Sequence, residues 1–157
     1  MIKKPKYLLL LLSLATIAIL SAVVIPAKAG TKEMKFYSVK KQAPEFIHHY
    51  KSITLTKEEE AIKVDALSKL QAPCCKDNSA LTCCCPCNLA KTTWGLTNLL
   101  IREYKYTAPQ IRKAVTEWVK FTNKDGYKGD ACYTGRCGLP FEKDGCGGMG
   151  EKLILGS

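Results

Sequence analysis

The stretch Thr107-Ala108-Pro109-Gln110-Ile111-Arg112-Lys113-Ala114-Val115-Thr116-Glu117-Trp118-Val119 decides the fold. Thr107 and Gln110 stand at the spacing of a helix cap, and Pro109 falls in the first turn, where a missing N–H costs little. Ile111, Ala114, Val115, Trp118 and Val119 then recur at three- and four-residue intervals and gather into one apolar stripe. A helix with such a stripe buries it against other elements, and the sequence upstream supplies two more helices. Thr56 with Glu59 forms a second capping box, Glu58 to Glu60 suit the positive end of a helix, and Ile62, Ala66, Leu67 and Leu70 share a face before Ala72-Pro73 stops it. From about Asn88 to Tyr104, Leu89, Leu96, Leu99, Leu100 and Ile101 are apolar, although Gly95 and several threonines lower the helix propensity there. The expected fold is mainly α: a small three-helix bundle over residues 56–123, with a cysteine-rich interhelical loop and an irregular Gly/Cys-rich C-terminal tail over 124–157.

Residues 30–55 are polar and mixed, with Pro44 in the middle, and read as an extended or loosely ordered lead-in. His48-His49 lies there with no cysteine nearby and reads as a surface pair. Before it, Lys3, Lys4 and Lys6 precede an apolar run from Leu8 to Ile25, then Pro26 and Ala27-Lys28-Ala29. That order is the pattern of an export signal over residues 1–29, cleaved after Ala29; a retained anchor over residues 8–25 is the alternative. Either way the remainder is expected to be extracytoplasmic, periplasmic or secreted, with membrane contact only if the segment is retained. The chain has 24 Lys+Arg against 14 Asp+Glu. Four of those bases belong to the leader and the rest are scattered, so no basic stripe points to nucleic acid. No Ser/His/Asp arrangement, phosphate loop or paired carboxylates speak for a hydrolase or kinase.

The chemistry is in the cysteines. All nine follow residue 73, and nine is odd, so pairing cannot satisfy every one. Cys74, Cys75, Cys83, Cys84, Cys85 and Cys87 crowd the loop between the first and second expected helices. Cys85-Pro86-Cys87 lies just before a helix N-terminus, where free N–H groups and the dipole favour a thiolate. Thiolates exchange disulfides and bind soft metals; the alternative is a set of disulfides tying helix ends together. Cys132, Cys137 and Cys146 follow in the tail, with Gly147-Gly148-Met149 after them, and Met149 offers a thioether. The candidate metal ligands are Cys83, Cys84, Cys85, Cys87, Cys132, Cys137, Cys146 and Met149; a disulfide-stapled tail is the competing reading. The tail is too poor in apolar residues to fold by burial, and its three cysteines leave a remainder. At least one should therefore meet the Cys74–Cys87 loop, through a bond or a shared metal.

Pro73-Cys74-Cys75 after a short helix, Leu89-Ala90 opening a longer one, and Lys105-Tyr106-Thr107-Ala108-Pro109-Gln110-Ile111 opening a third resemble the small extracytoplasmic domain of the cytochrome c maturation H family, over about residues 55–121. The resemblance implies a three-helix bundle, a role in reducing the haem-binding cysteines of apocytochrome c, and Cys74 or Cys75 at the catalytic position. The chain departs from that pattern: its two cysteines are adjacent where the family has Cys-x-x-Cys, no membrane helix follows the bundle, and the Gly/Cys tail is foreign. Three functions are therefore expected, in this order. The first is binding or handing on a soft metal ion, copper(I) foremost, to a metal-transfer partner without catalysis. The second is thiol–disulfide exchange, an oxidoreductase acting with apocytochrome c. The third is a disulfide-stapled interaction domain.

Overall fold

The capping chemistry places two helices where the sequence puts them. Thr56 Oγ1 accepts the Glu59 N–H at 3.3 Å while Glu59 Oε2 accepts the Thr56 N–H at 3.0 Å, and the helix behind them is Lys57–Leu67. Gln110 Oε1 likewise accepts the Thr107 N–H at 2.9 Å, ahead of a helix over Ala108–Thr122. The structure, a computed structural model, describes residues 32–150; the export signal expected over residues 1–29 lies outside the described residues. In chain order the elements are α1 (Val39–Ser52), α2 (Lys57–Leu67), a hairpin of β1 (Gln71–Ala72) and β2 (Cys75–Ser79), α3 (Asn88–Arg102) and α4 (Ala108–Thr122). Two short 3-10 turns, Arg136–Gly138 and Phe141–Lys143, punctuate the tail. The protein is mainly helical. No helix among the described residues is long and apolar enough to cross a membrane.

The three-helix expectation is corrected: the described residues hold four helices, because Val39–Ser52, within the expected lead-in, forms α1. Pro44 sits inside that helix and removes one of its hydrogen bonds. Burial offsets the loss, since Ala43, Phe46 and Ile47 are 0–2% exposed. Gln42 fixes where α1 begins: its Oε1 accepts from the Tyr37 and Ser38 N–H groups at 2.8 and 3.2 Å, and its Nε2 donates to Lys35 O at 3.0 Å. Gly95 lets α1 lie against α3, for a Cβ there would stand 1.7 Å from the Phe46 carbonyl oxygen. The residue that weakens α3 by propensity is the one that admits its neighbour.

Trp118 of α4 is fully buried, with its ring centroid 4.9 Å from that of Phe46 and 5.3 Å from that of Phe36. Its Nε1 donates to Thr92 Oγ1 at 3.1 Å. The α3 threonines are thus core residues: Thr92 and Thr97 are fully buried and return their hydroxyls to Leu89 O and Thr93 O, at 2.9 and 2.8 Å. Of the stripe on α4, Ile111, Ala114, Val115 and Trp118 are buried and Val119 is half-buried. α2 ends at Leu67, short of Ala72-Pro73, because those residues turn back into the hairpin.

Candidate metal centre

The hairpin presents the first two cysteines in different directions. Ala72 pairs with Cys75, which leaves Pro73 and Cys74 as the turn between them. Cys74 therefore faces the N-terminus of α3, where it joins Cys87 and Cys146. Cys75, itself buried, joins Cys84 and Cys132 instead.

The tail closes over the same end. The first N–H groups of a helix have no partner within it. Here Asn88 N–H donates to Gly148 O at 2.8 Å, and Leu89 N–H to Cys146 O at 3.0 Å. The Asn88 side chain adds bonds to Gly147 O and Gly150 O at 2.6 and 2.8 Å. Further back, Cys132 N–H donates to Cys74 O at 3.2 Å and Lys76 N–H to Gly129 O at 2.8 Å. Gly147 makes the last bend at φ +68°, and a Cβ there would fall 2.3 Å from the Phe141 ring. Tail carbonyls thus use the α3 donors that the sequence assigns to a thiolate.

This stitching brings the two cysteine clusters together. Their sulfurs fall into four groups of three: Cys74, Cys87 and Cys146; Cys83, Cys85 and Cys87; Cys85, Cys132 and Cys137; and Cys75, Cys84 and Cys132. Within each group the sulfurs lie within 4.8 Å of one another. All nine thiols are free. Cys84 Sγ and Cys132 Sγ are 3.3 Å apart, Cys137 and Cys146 3.7 Å, Cys85 and Cys132 3.8 Å, and Cys74 and Cys83 4.0 Å. A disulfide needs about 2.05 Å. Thiolates held about 2.3 Å from a common metal stand about 4 Å apart. The clustered cysteines can hold a metal ion.

The thiols are not electrostatically alike. Cys87 at the N-cap of α3 is held far below the ordinary thiol range, because the Cys146, Cys74 and Cys83 thiols donate to it and the Ala90 amide adds to them. Cys74 is pushed far upward as the proton donor of that set, through its bonds to Cys146, Cys83 and Cys87. Burial, with the charge on Cys87 next, pushes Cys85 up to about 12. Cys75 is lowered to about 7, first by the Tyr133 hydroxyl and also by the Asn78 amide. That hydroxyl lies 3.2 Å from Cys75 Sγ and 2.8 Å from Asp77 Oδ2, so its single proton serves one or the other. Asn78 Nδ2 donates to Cys75 Sγ at 3.1 Å. Tyr133 and Asn78 are absent from the sequence-derived site, and adjacency to Cys132 was the only signal for the tyrosine.

Every cysteine in the candidate ligand set falls in one of the four groups, and so do Cys74 and Cys75. Met149 is 48% exposed, with its carbonyl accepting from Lys91 Nζ at 2.8 Å. His49 pairs with Glu45 along α1, its Nε2 3.8 Å from the carboxylate. Fold and site together define a class: a small, mainly helical, cysteine-rich protein whose thiols converge on one end of the bundle. No family model, curated protein or solved structure matches the chain.

Proposed function

We propose that this protein captures and hands on a soft metal ion, copper(I), through its clustered thiolates, outside the cytoplasm. One observation carries the reading: among the described residues all nine sulfurs are free and gathered in overlapping sets of three, each within 4.8 Å. Structural zinc takes four ligands in a tetrahedron. Copper(I) is soft, prefers thiolates and accepts three of them. The leader pattern in the sequence supports the compartment, where free thiols tend to oxidise and a bound metal would keep them occupied. The test is competition between the reduced chain and a strong copper(I) chelator. Tight uptake is expected, weakened by Cys85→Ser and Cys87→Ser, because a neutral hydroxyl is a poor soft-metal ligand.

A second reading, thiol–disulfide exchange with a partner such as apocytochrome c, rests on Cys75. Its sulfur contacts Tyr133 and Asn78 beside the exposed Cys84, which suits a thiolate that attacks a partner disulfide. In that reaction Cys75 forms a mixed disulfide and expels one partner thiolate; a neighbouring thiolate, Cys84 or Cys132, then displaces the second. Two electrons pass to the partner, and the chain is left with a disulfide. Cys74 is the poorer candidate, since its sulfur lies with the buried Cys87 and Cys146 and serves as a proton donor to them. A trapped mixed disulfide in a chain that takes up no copper(I) would reverse the ranking.

A further inference from the structure

The four sulfur groups are not independent. Cys132 belongs both to the group of Cys75 and Cys84 and to that of Cys85 and Cys137. Cys85 links the latter to the group of Cys83 and Cys87, and Cys87 links that one to Cys74 and Cys146. Twelve ligand places are thus filled by nine sulfurs, with one sulfur shared at each of three junctions and none left over; the row curls into one cluster, for Cys137 and Cys146 also meet at 3.7 Å and Cys74 and Cys83 at 4.0 Å. The row also has a direction. At one end Cys84 is exposed and Cys132 half-buried, beside a buried Cys75, while Cys74, Cys87 and Cys146 at the other are all 0–1% exposed.

We infer that the nine cysteines form one row of four three-sulfur copper(I) sites joined by the bridging thiolates of Cys132, Cys85 and Cys87, filled from the Cys84 end towards the buried Cys146 end. The inference rests on the copper(I) reading above and adds a capacity, a set of bridges and a path. A thiolate has lone pairs enough to bind two soft cations, so three bridges suffice for four ions. An ion advances by keeping its bond to the shared sulfur while it exchanges the other two ligands for those of the next site. Copper enters and leaves as copper(I), so no electron is exchanged. Each thiol that becomes a ligand releases its proton to solvent. Four univalent ions leave a thiolate cluster negative, and the excess of Lys and Arg that remains once the leader's four bases are removed offsets that charge.

The experiment is titration of the reduced full chain with copper(I), supplied as its acetonitrile complex against a strong chelator and read by native mass spectrometry. Four ions per chain are expected. Removing a sulfur that serves one site, with Cys137→Ser, should lower the capacity to three. Removing a bridge, with Cys132→Ser or Cys85→Ser, should lower it to two; circular dichroism of each variant checks that the bundle is intact, and either bridge suffices. Cys84→Ser should slow uptake several-fold relative to Cys146→Ser, though each removes one site. A capacity of one, or equal losses from bridging and single-site cysteines, would overturn the row while leaving copper(I) binding in place. A capacity of three would overturn it too, for twelve ligand places also make three four-coordinate sites. Equal uptake rates for the two end variants would remove the direction. No uptake by the parent chain would overturn the copper(I) reading itself.

Discussion

The bundle buries Phe46, Leu96, Ile111 and Trp118 to 1% exposure or less, whereas the described part of the tail buries one large apolar side chain, Phe141. The bundle's order comes from area removed from water and from capped helices. The tail's order comes from carbonyls that satisfy the first turn of α3, and from sulfurs that converge beneath it. The two regions should therefore answer different perturbations. Core substitutions should unfold the bundle and carry the tail with it. Reduction state, metal and the α3 N-terminus should govern the tail alone.

The largest effect should come from Trp118→Asp, which leaves a carboxylate without a partner among Phe36 and Phe46. A loss above about 4 kcal/mol is expected, read as absent cooperative melting by circular dichroism. Gly95→Ala tests the same region from the α1 side. Its Cβ would meet the Phe46 backbone, so α1 must move off α3, at a cost of about 3 kcal/mol or more. If that variant melts like its parent, α1 is not packed on α3 and the bundle reduces to the other three helices.

Phe141→Ala should strike the tail alone. The ring is 2% exposed and covers Gly147, so its loss costs about 3 kcal/mol of local stability. Hydrogen exchange should show the Asn88 and Leu89 amides opening while the interior amides of α4 stay protected. Uniform loss of protection would mean that tail and bundle unfold as one unit. Asn88→Ala should be gentler. It removes two bonds to tail carbonyls, about 1–2 kcal/mol in total, and the same two amides report it.

The parts of this division that could be read from sequence are those fixed by local chemistry. Thr56 with Glu59, and Thr107 with Gln110, mark helix starts because a cap is a contact between residues three apart. The stripe on α4 is legible because its period reports one face. α1 was missed although Ala43, Phe46, Ile47 and Tyr50 have helical spacing, because Pro44 argues locally against a helix that tertiary burial sustains. α3 was legible despite Gly95 and its threonines, whose value is a close approach and a buried hydroxyl, both supplied by distant residues. For the site, cysteine arithmetic raises the expectation that tail and loop meet, since three tail cysteines leave a remainder, and the sulfur groups do join them. The arithmetic does not give the partners. Cys74 and Cys75 are neighbours in sequence and belong to different groups because a hairpin turn falls between them, and the two-residue strand that makes it leaves almost no sequence pattern.

Met149 offers the smallest effect and the finest test of where the tail's chemistry ends. Its backbone is tightly held: Lys91 Nζ donates to its carbonyl at 2.8 Å, and Asn88 grips the carbonyls of Gly147 and Gly150 around it. Its side chain is 48% exposed. A thioether is a neutral donor and adds less to copper(I) affinity than a thiolate, most of all where three thiolates already surround the ion. Met149→Leu keeps the size and removes the sulfur, with little change in stability at so exposed a position. Copper(I) affinity by chelator competition should fall less than about twofold, under about 0.4 kcal/mol. A tenfold fall would bring the thioether into the ligand set. The tail would then hold the metal with its side chains beyond Cys146 as well as roof it with its backbone, and the contrast between a packed bundle and a stitched tail would have to be redrawn around a four-ligand site.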